Sequence, residues 1–307
     1  MSIVVLGSFM MDLTVRTSRV PQNGETIIGD SFFRSPGGKG ANQAVAMARL
    51  GAEVTMIGRV GNDLFGNEFI SLLEEENVDH QNVSIDNDLA TGVGSITLDT
   101  DGNNRIVVVP GANLTYKTSD LGNCADVIRN ADLLVVQLEM DIEMIEQAIT
   151  LAYQSGVPII LNPAPAQKLS EELLQKITYL TPNETEAEIL TGVKVASVKD
   201  AKKAAHVLHA RGVENVILTL GDRGTFLSTS QNTEHLSGYQ VKALNTVAAG
   251  DAFNGALAFE IVRGKSIKES VLFANAVGAL AVTKEGAIPS LPRYEEVQRF
   301  IESGKFQ

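Results

Sequence analysis

Asp251 lies in Asn245-Thr-Val-Ala-Ala-Gly-Asp-Ala-Phe-Asn-Gly255, where small residues feed into a helical run expected from Gly250 to about Arg263. Ala248, Ala249 and Gly250 leave backbone N–H groups uncovered at the positive end of that helix, which suits an anion whose charge grows during a reaction. A carboxylate beside such a cradle is placed to take a proton from a hydroxyl that attacks a phosphate. Asp is also a favoured helix N-cap, and this stretch alone leaves both readings open.

A second stretch, Pro36-Gly-Gly-Lys-Gly-Ala-Asn-Gln43, enters a helix expected over Ala41–Leu50, with Gly51 ending it as a C-cap. Gly38 and Gly40 let backbone approach a ligand, Lys39 adds a charge, and Asn42 can both donate and accept. A tight turn has the same composition. This is not a Walker A loop: Gly264-Lys265-Ser266 has Phe259 where the first glycine belongs. Nor does the stretch fit a dinucleotide G-x-G-x-x-G.

These residues need elements to position them, and the chain supplies a strand–helix alternation. Strands are expected at Ile3–Gly7, Val54–Ile57, Leu133–Gln137, Pro158–Leu161 and Val216–Leu220. Helices are expected at Asp63–Glu76, near Ser119–Arg129, at Ile142–Gln154, Ala187–Leu190 and Ile267–Thr283. That rhythm predicts an α/β fold, a doubly wound, mostly parallel sheet with helices on both faces. Leu13–Phe33 and Gly92–Val109 break the rhythm with short extended pieces, the second around an Asp101-Gly102-Asn103 hairpin signal. Together they are expected to form a small antiparallel sheet serving as a lid.

Ligands of open parallel sheets bind at the carboxyl ends of the strands, which draws attention to Met10, Asp12 and Glu139. Thr181-Pro-Asn-Glu-Thr-Glu186 also ends a strand. Its carboxylates could orient Mg²⁺ through water, and they suit a capped helix start equally well. Gly221-Asp-Arg-Gly224 is an open turn that a nucleotide could approach, or a plain β-turn. Asn275 lies on the Ile267–Thr283 helix, whose small residues suit close packing on the Asp251 helix. His80, His206, His209 and His235 share no constellation and read as surface residues.

The 307 residues are 44% hydrophobic and 20% charged, so a full core is expected rather than disorder. A net charge of −12 without a basic cluster argues against nucleic acid or an anionic membrane as partner. The single cysteine, Cys124, has no disulfide partner in the chain and no zinc-like spacing around it, which fits a reducing cytoplasm. No signal peptide is expected, because Gly7 and Ser8 interrupt the first apolar run and no basic segment precedes it.

Gly37-Gly-Lys-Gly-Ala-Asn-Gln-Ala44, Thr181-Pro-Asn-Glu-Thr-Glu186 and Ala248-Ala-Gly-Asp-Ala-Phe-Asn254, in that order, resemble the signatures of the ribokinase-like carbohydrate kinases. The similarity spans essentially the whole chain and is greatest to the ribokinases and 2-deoxyribose kinases. It implies one domain over 1–307 with a lid from about 13–35 and 91–110. It also implies ATP-dependent phosphorylation of a pentose 5-hydroxyl, and in this family the lid often pairs with that of a second subunit. Carried over by position, Asp251 becomes the base and Ala248 to Gly250 the anion hole. Met10, Asp12, Gly38, Lys39, Gly40, Asn42 and Glu139 become the sugar site. Asn183, Thr219, Gly221, Gly224, Gly250 and Asn275 become nucleotide contacts, with Glu186 helping to place Mg²⁺.

Two positions depart from the family. Ribokinases usually have Asn where this chain has Met10, as the deoxyribose kinases do not; a thioether cannot donate, so a 2-hydroxyl loses a partner. Asn245 replaces an Asp that, in the family, helps enclose a potassium ion. Val247, Ala281, Lys284, Gly286 and Ser290 still match that cation loop, and a weakened potassium site is the expectation.

Overall fold

The computed structural model describes residues 2–100 and 103–303. In chain order the strands are β1 (Ser2–Leu6), β2 (Met10–Arg16), β3 (Ser31–Gly37), β4 (Glu53–Gly61), β5 (Asp79–Asp86), β6 (Gly92–Leu98) and β7 (Asn104–Val109). There follow β8 (Leu133–Val136), β9 (Ile159–Leu161), β10 (Tyr179–Leu180), β11 (Asn215–Thr219), β12 (Thr225–Ser228) and β13 (Thr233–Leu236). Nine of them form one sheet in the order β13-β12-β11-β10-β9-β8-β1-β4-β5, parallel except at its β11–β12–β13 end.

Period-2 burial explains the layering. Ile3 and Val5 of β1 join one core cluster, while Val4 and Leu6 join the cluster on the opposite face. Winding reverses between β1 and β8, so the crevice beyond their carboxyl ends is the switch point where ligands of such sheets bind.

The two interruptions pair as a four-stranded sheet, β3-β2-β6-β7. It is not wholly antiparallel: β2 runs parallel to β6, because the chain crosses the main sheet between them. Asp101 and Gly102 of the expected hairpin turn lie outside the described residues.

Some expected elements need correction. The helix expected near Ser119–Arg129 is broken into Thr118–Leu121, a 3₁₀ turn Gly122–Cys124, and Ala125–Arg129; Gly122 is a poor helix former at the break. His209 is not a free surface residue. It is half-buried, with ring contacts to the Val213 carbonyl and the Ser228 hydroxyl, both at 2.9 Å. No helix among the described residues is long and apolar enough to cross a membrane.

Candidate active site

The Asp251 helix spans Ala249–Val262, and every residue from Asp251 to Glu260 is buried. A helix apolar on nearly all sides belongs in the interior, and its first turns meet Thr181, just past the end of β10, through Asn254. Ala248 precedes it in left-handed backbone, φ 60°, which costs a non-glycine residue about 1–2 kcal/mol. Strain of this kind gathers at functional sites. Asn254 secures the first turn: its amide donates to the Gly250 carbonyl at 2.8 Å and its oxygen accepts from Thr181 at 2.6 Å.

Asp251 is 6% exposed. Its Oδ2 accepts from Asn42 Nδ2 at 2.8 Å and its Oδ1 from Gln43 Nε2 at 2.9 Å. Burial pushes the carboxyl above its ordinary range, Lys39 and the two amides pull it back, and Glu139 adds to the rise. Sequence allowed an N-cap role, but this side chain points to the Lys39–Leu50 helix, and Ala248 occupies the cap position.

The glycine turn at 37–40 is explained by contact between backbones. A Cβ on Gly40 would lie 2.4 Å from Ser8 N, and one on Gly38 2.7 Å from Met10 N. Glu139 holds the turn by accepting from Lys39 N at 3.0 Å and from Ser8 Oγ at 2.5 Å. Met10 and Asp12 are two apart in β2 and therefore share a face. A Cβ on Gly94 opposite would sit 2.7 Å from Asp12 Oδ1 and 4.0 Å from Met10 Cγ, so both side chains reach that face. Burial depresses the Lys39 ammonium, but Asp251, Glu139, Glu186 and Asp12 together raise it above an ordinary lysine. One cation thus balances four carboxylates.

On the other side of Asp251, Asn183 and Glu186 form a capping box. Glu186 accepts from Asn183 N at 2.9 Å and from Asn183 Nδ2 at 2.8 Å, so the helix-start reading of this motif holds. Glu186 is nonetheless buried within the fields of Lys39 and Asp251, and burial raises its carboxyl. Thr219 N donates to the Pro182 carbonyl at 2.9 Å, bringing the ends of β10 and β11 together; Gly221 and Gly224 follow at φ 60° and 88°. Asn275 accepts from Thr225 Oγ1 at 2.6 Å.

Among the described residues, three buried side-chain atoms have no partner: Asn42 Oδ1, Gln137 Oε1 and Asn275 Nδ2. An unpartnered acceptor at Asn42 and an unpartnered donor at Asn275 are what polar ligands on the two sides of Asp251 would satisfy.

The polar side chains named for the cation loop have partners within the chain. Asn245 Oδ1 already accepts from Val247 N at 2.9 Å, and Ser290 Oγ donates to the Ala287 carbonyl at 2.7 Å. Lys284 is paired with Glu296 at 2.7 Å, while Ala281 is buried and Gly286 turns at φ 89°. The segments meet where Leu244 N and Asn245 N donate to the Val282 carbonyl at 2.7 and 3.2 Å. Asn245 and Ser290, the side-chain oxygens in the set named for potassium, carry no charge.

Sequence reasoning gave no role to Ser8, Gln43, Gln137, Thr181 or Asn254. The available signal was position: Gln137 directly follows a buried strand at the ligand-binding edge, and Gln43 follows Asn42 near the start of its helix.

Residues 1–293 match the pfkB family carbohydrate kinases. A ribokinase of Haemophilus influenzae is 40% identical over 301 residues, 98% of each chain. A deoxyribokinase of Salmonella typhi is 35% identical over 306 residues, 98% of this chain and 99% of its own. The structure of Arabidopsis thaliana ribokinase complexed with ribose and ATP superimposes with a TM-score of 0.94 at 33% identity, covering 98% of both chains. The chain belongs to the pfkB family of carbohydrate kinases. It is an enzyme of the ribokinase type.

Proposed function

We propose that this chain transfers the γ-phosphoryl group of ATP to the 5-hydroxyl of a pentose, with Met10 favouring 2-deoxy-D-ribose over D-ribose. The observation that carries the reading is the buried Asp251 carboxylate, held by two amides beside the strained Ala248 turn and a helix N-terminus. Asp251 takes the hydroxyl proton as the sugar oxygen bonds to the γ-phosphorus; the bond to the bridging oxygen breaks and ADP leaves. Backbone N–H groups from Ala248 to Gly250 meet the charge on the transferring group, the Ala249 N–H turning from its long 3.4 Å contact with the Thr246 carbonyl. Lys39 and Glu139 fix the glycine turn around the sugar, while Asn183, Thr219, Gly221, Gly224 and Asn275 line the nucleotide side. Mg²⁺ arriving with ATP would neutralise phosphate charge, and Glu186 would help to place it.

The sugar preference rests on Met10, a thioether on the face that carries Asp12. A lost hydrogen bond in a closed pocket costs about 1–3 kcal/mol, roughly tenfold to a hundredfold in discrimination. The ribokinases among the relatives, and the unpartnered Asn42 Oδ1, favour plain ribokinase activity as the second reading. Potassium on this reading is a weak activator, because Asn245 brings no charge. The small sheet acts as the lid, its exposed outer strand pairing with a second copy of the chain.

The test is ADP formation with each sugar, with and without potassium. We expect kcat/KM to favour deoxyribose at least about tenfold, and Met10→Asn to move the ratio toward ribose by a similar factor. Asp251→Asn should retain sugar binding and lose turnover. A wild-type preference for ribose that Met10→Asn leaves alone removes Met10 from the argument, and turnover of neither sugar removes the pentose.

A further inference from the structure

Gln43 is fully buried, and its whole amide is engaged. One N–H goes to Asp251 Oδ1 at 2.9 Å and the other to Asn162 Oδ1 at 3.1 Å, while Oε1 accepts from Gln137 Nε2 at 2.8 Å. Two acceptors set the direction of this chain: Asp251, and Asn162, whose amide nitrogen donates to the Thr181 carbonyl at 3.3 Å so that its oxygen faces Gln43. An ionised carboxylate only accepts, so Gln43 must turn its nitrogen to Asp251. Its oxygen then faces Gln137, which must present a nitrogen in turn. The mismatch is passed outward, and Gln137 Oε1 ends buried without a partner.

An unsatisfied buried oxygen costs stability, so this arrangement is explained by what it does at its other end. Gln137 follows β8, which borders the switch point, and Asn162 follows β9, the next strand in the sheet. Through Gln43, the sheet itself sets where one Asp251 oxygen lies.

We propose that Gln43 is a positioning residue for Asp251, and that Gln137, Gln43 and Asn162 form an amide relay that holds the buried carboxylate ionised and aimed. The proposal deepens the reading of Asp251 as the base and rests on it. Other charges also face Asp251: Lys39 from the Gln43 helix, Glu139 beyond β8 and Glu186 from the Glu184–Thr191 helix. Lys39 favours the anion and the two carboxylates oppose it. The amides carry no net charge and do not titrate, so their support is the same at every pH.

The experiment uses Gln43→Met, which is similar in length and lacks both donors. Asp251 is titrated directly in the ligand-free protein by ¹³C NMR with carboxyl-labelled aspartate, the signal assigned by its loss in Asp251→Asn. Kinetics with ribose and deoxyribose are followed across the same pH range. Removing a hydrogen bond to the charged form should raise the Asp251 titration by about one to two pH units. The acid limb of kcat should move with it, kcat near neutral pH should fall about tenfold, and sugar KM should stay within about twofold.

A folded Gln43→Met protein with unmoved Asp251 titration overturns the proposal. If the titration moves but even the wild type turns over neither sugar, the relay stands and the kinase reading fails. Should Gln43→Met not fold, Gln137→Leu carries the test, since Gln137 meets Asp251 only through Gln43. A smaller upward shift with reduced kcat and unchanged KM supports the relay; an unmoved titration and kcat overturn it.

Discussion

Asp12 shows how one residue's environment becomes a measurable property. Burial, then the neighbouring Glu139, pushes its carboxyl up to about 6, with Lys39 pulling back. The sign follows from proton counts: between the unfolded value of 3.8 and about 6 the folded protein holds more protons than the unfolded chain. Asp12 therefore erodes stability as pH rises through that window, and the erosion is complete above it. Asp12→Asn should be more stable than wild type above about pH 6, and the difference should shrink as pH falls toward 4. Sugar hydroxyls donating to the carboxylate would favour its ionised form. Sugar binding should then release protons near pH 6 and weaken below it, by up to about tenfold per unit. Calorimetry of Asp251→Asn in buffers of different ionisation enthalpy reads this directly, and proton uptake would show Asp12 binding as a neutral acid. At this scale Asp12, Asn42 and Asp251 were legible in the sequence, because glycine turns and strand ends mark such sites. Gln43, Gln137 and Asn162 were not: their meaning lies in bonds between residues 119 and 94 positions apart, and no local pattern encodes such a meeting.

The element that creates these meetings is the crossing of the Lys39–Leu50 and Ala249–Val262 helices. A Cβ on Gly255 would lie 2.6 Å from Ala46 Cβ and 3.2 Å from the Gln43 carbonyl, so the helices touch backbone to side chain there. One turn away, that closeness brings Asn42 and Gln43 within hydrogen-bonding reach of Asp251. Gly255→Val should push the helices apart, cost about 1–3 kcal/mol in urea unfolding, and lower kcat well beyond any change in sugar KM. Unchanged stability with unchanged kcat would mean the crossing has slack that the close contact denies. The Asp251 helix was legible because small and apolar residues fill most of it, with Asp251, Asn254 and Glu260 the exceptions. β5 and β13 were missed because Asp-His-Gln-Asn-Val-Ser-Ile-Asp and Thr-Glu-His-Leu are short or polar and lie at the two edges of the large sheet, where one side meets solvent. The parallel pairing of β2 with β6 was equally hidden, since either hairpin alone reads as antiparallel.

At the scale of the whole molecule, the small sheet leaves an unfinished edge. All six residues of β7 are exposed, including Ile106, Val107, Val108 and Val109, and among the described residues no strand pairs with its outer side. Phe32 and Phe33 of β3 are exposed at the opposite edge. Soluble proteins seldom leave an apolar strand edge open, because it offers both backbone hydrogen bonds and side-chain area to another chain. Alternate side chains on β7 point to opposite faces, so a partner that covers the strand must grip it from both sides, as a second copy of the same sheet would. Equilibrium sedimentation should give a dimer. Val107→Lys combined with Val109→Lys should shift it to monomer while the nine-stranded sheet stays folded, because neither residue belongs to the core clusters. If that pairing also steadies the lid over the sugar, the monomer's sugar KM should rise several-fold while its ATP KM stays put. A wild-type monomer at all concentrations would show that the edge is left open, and the sheet would then have to close over its sugar without a partner.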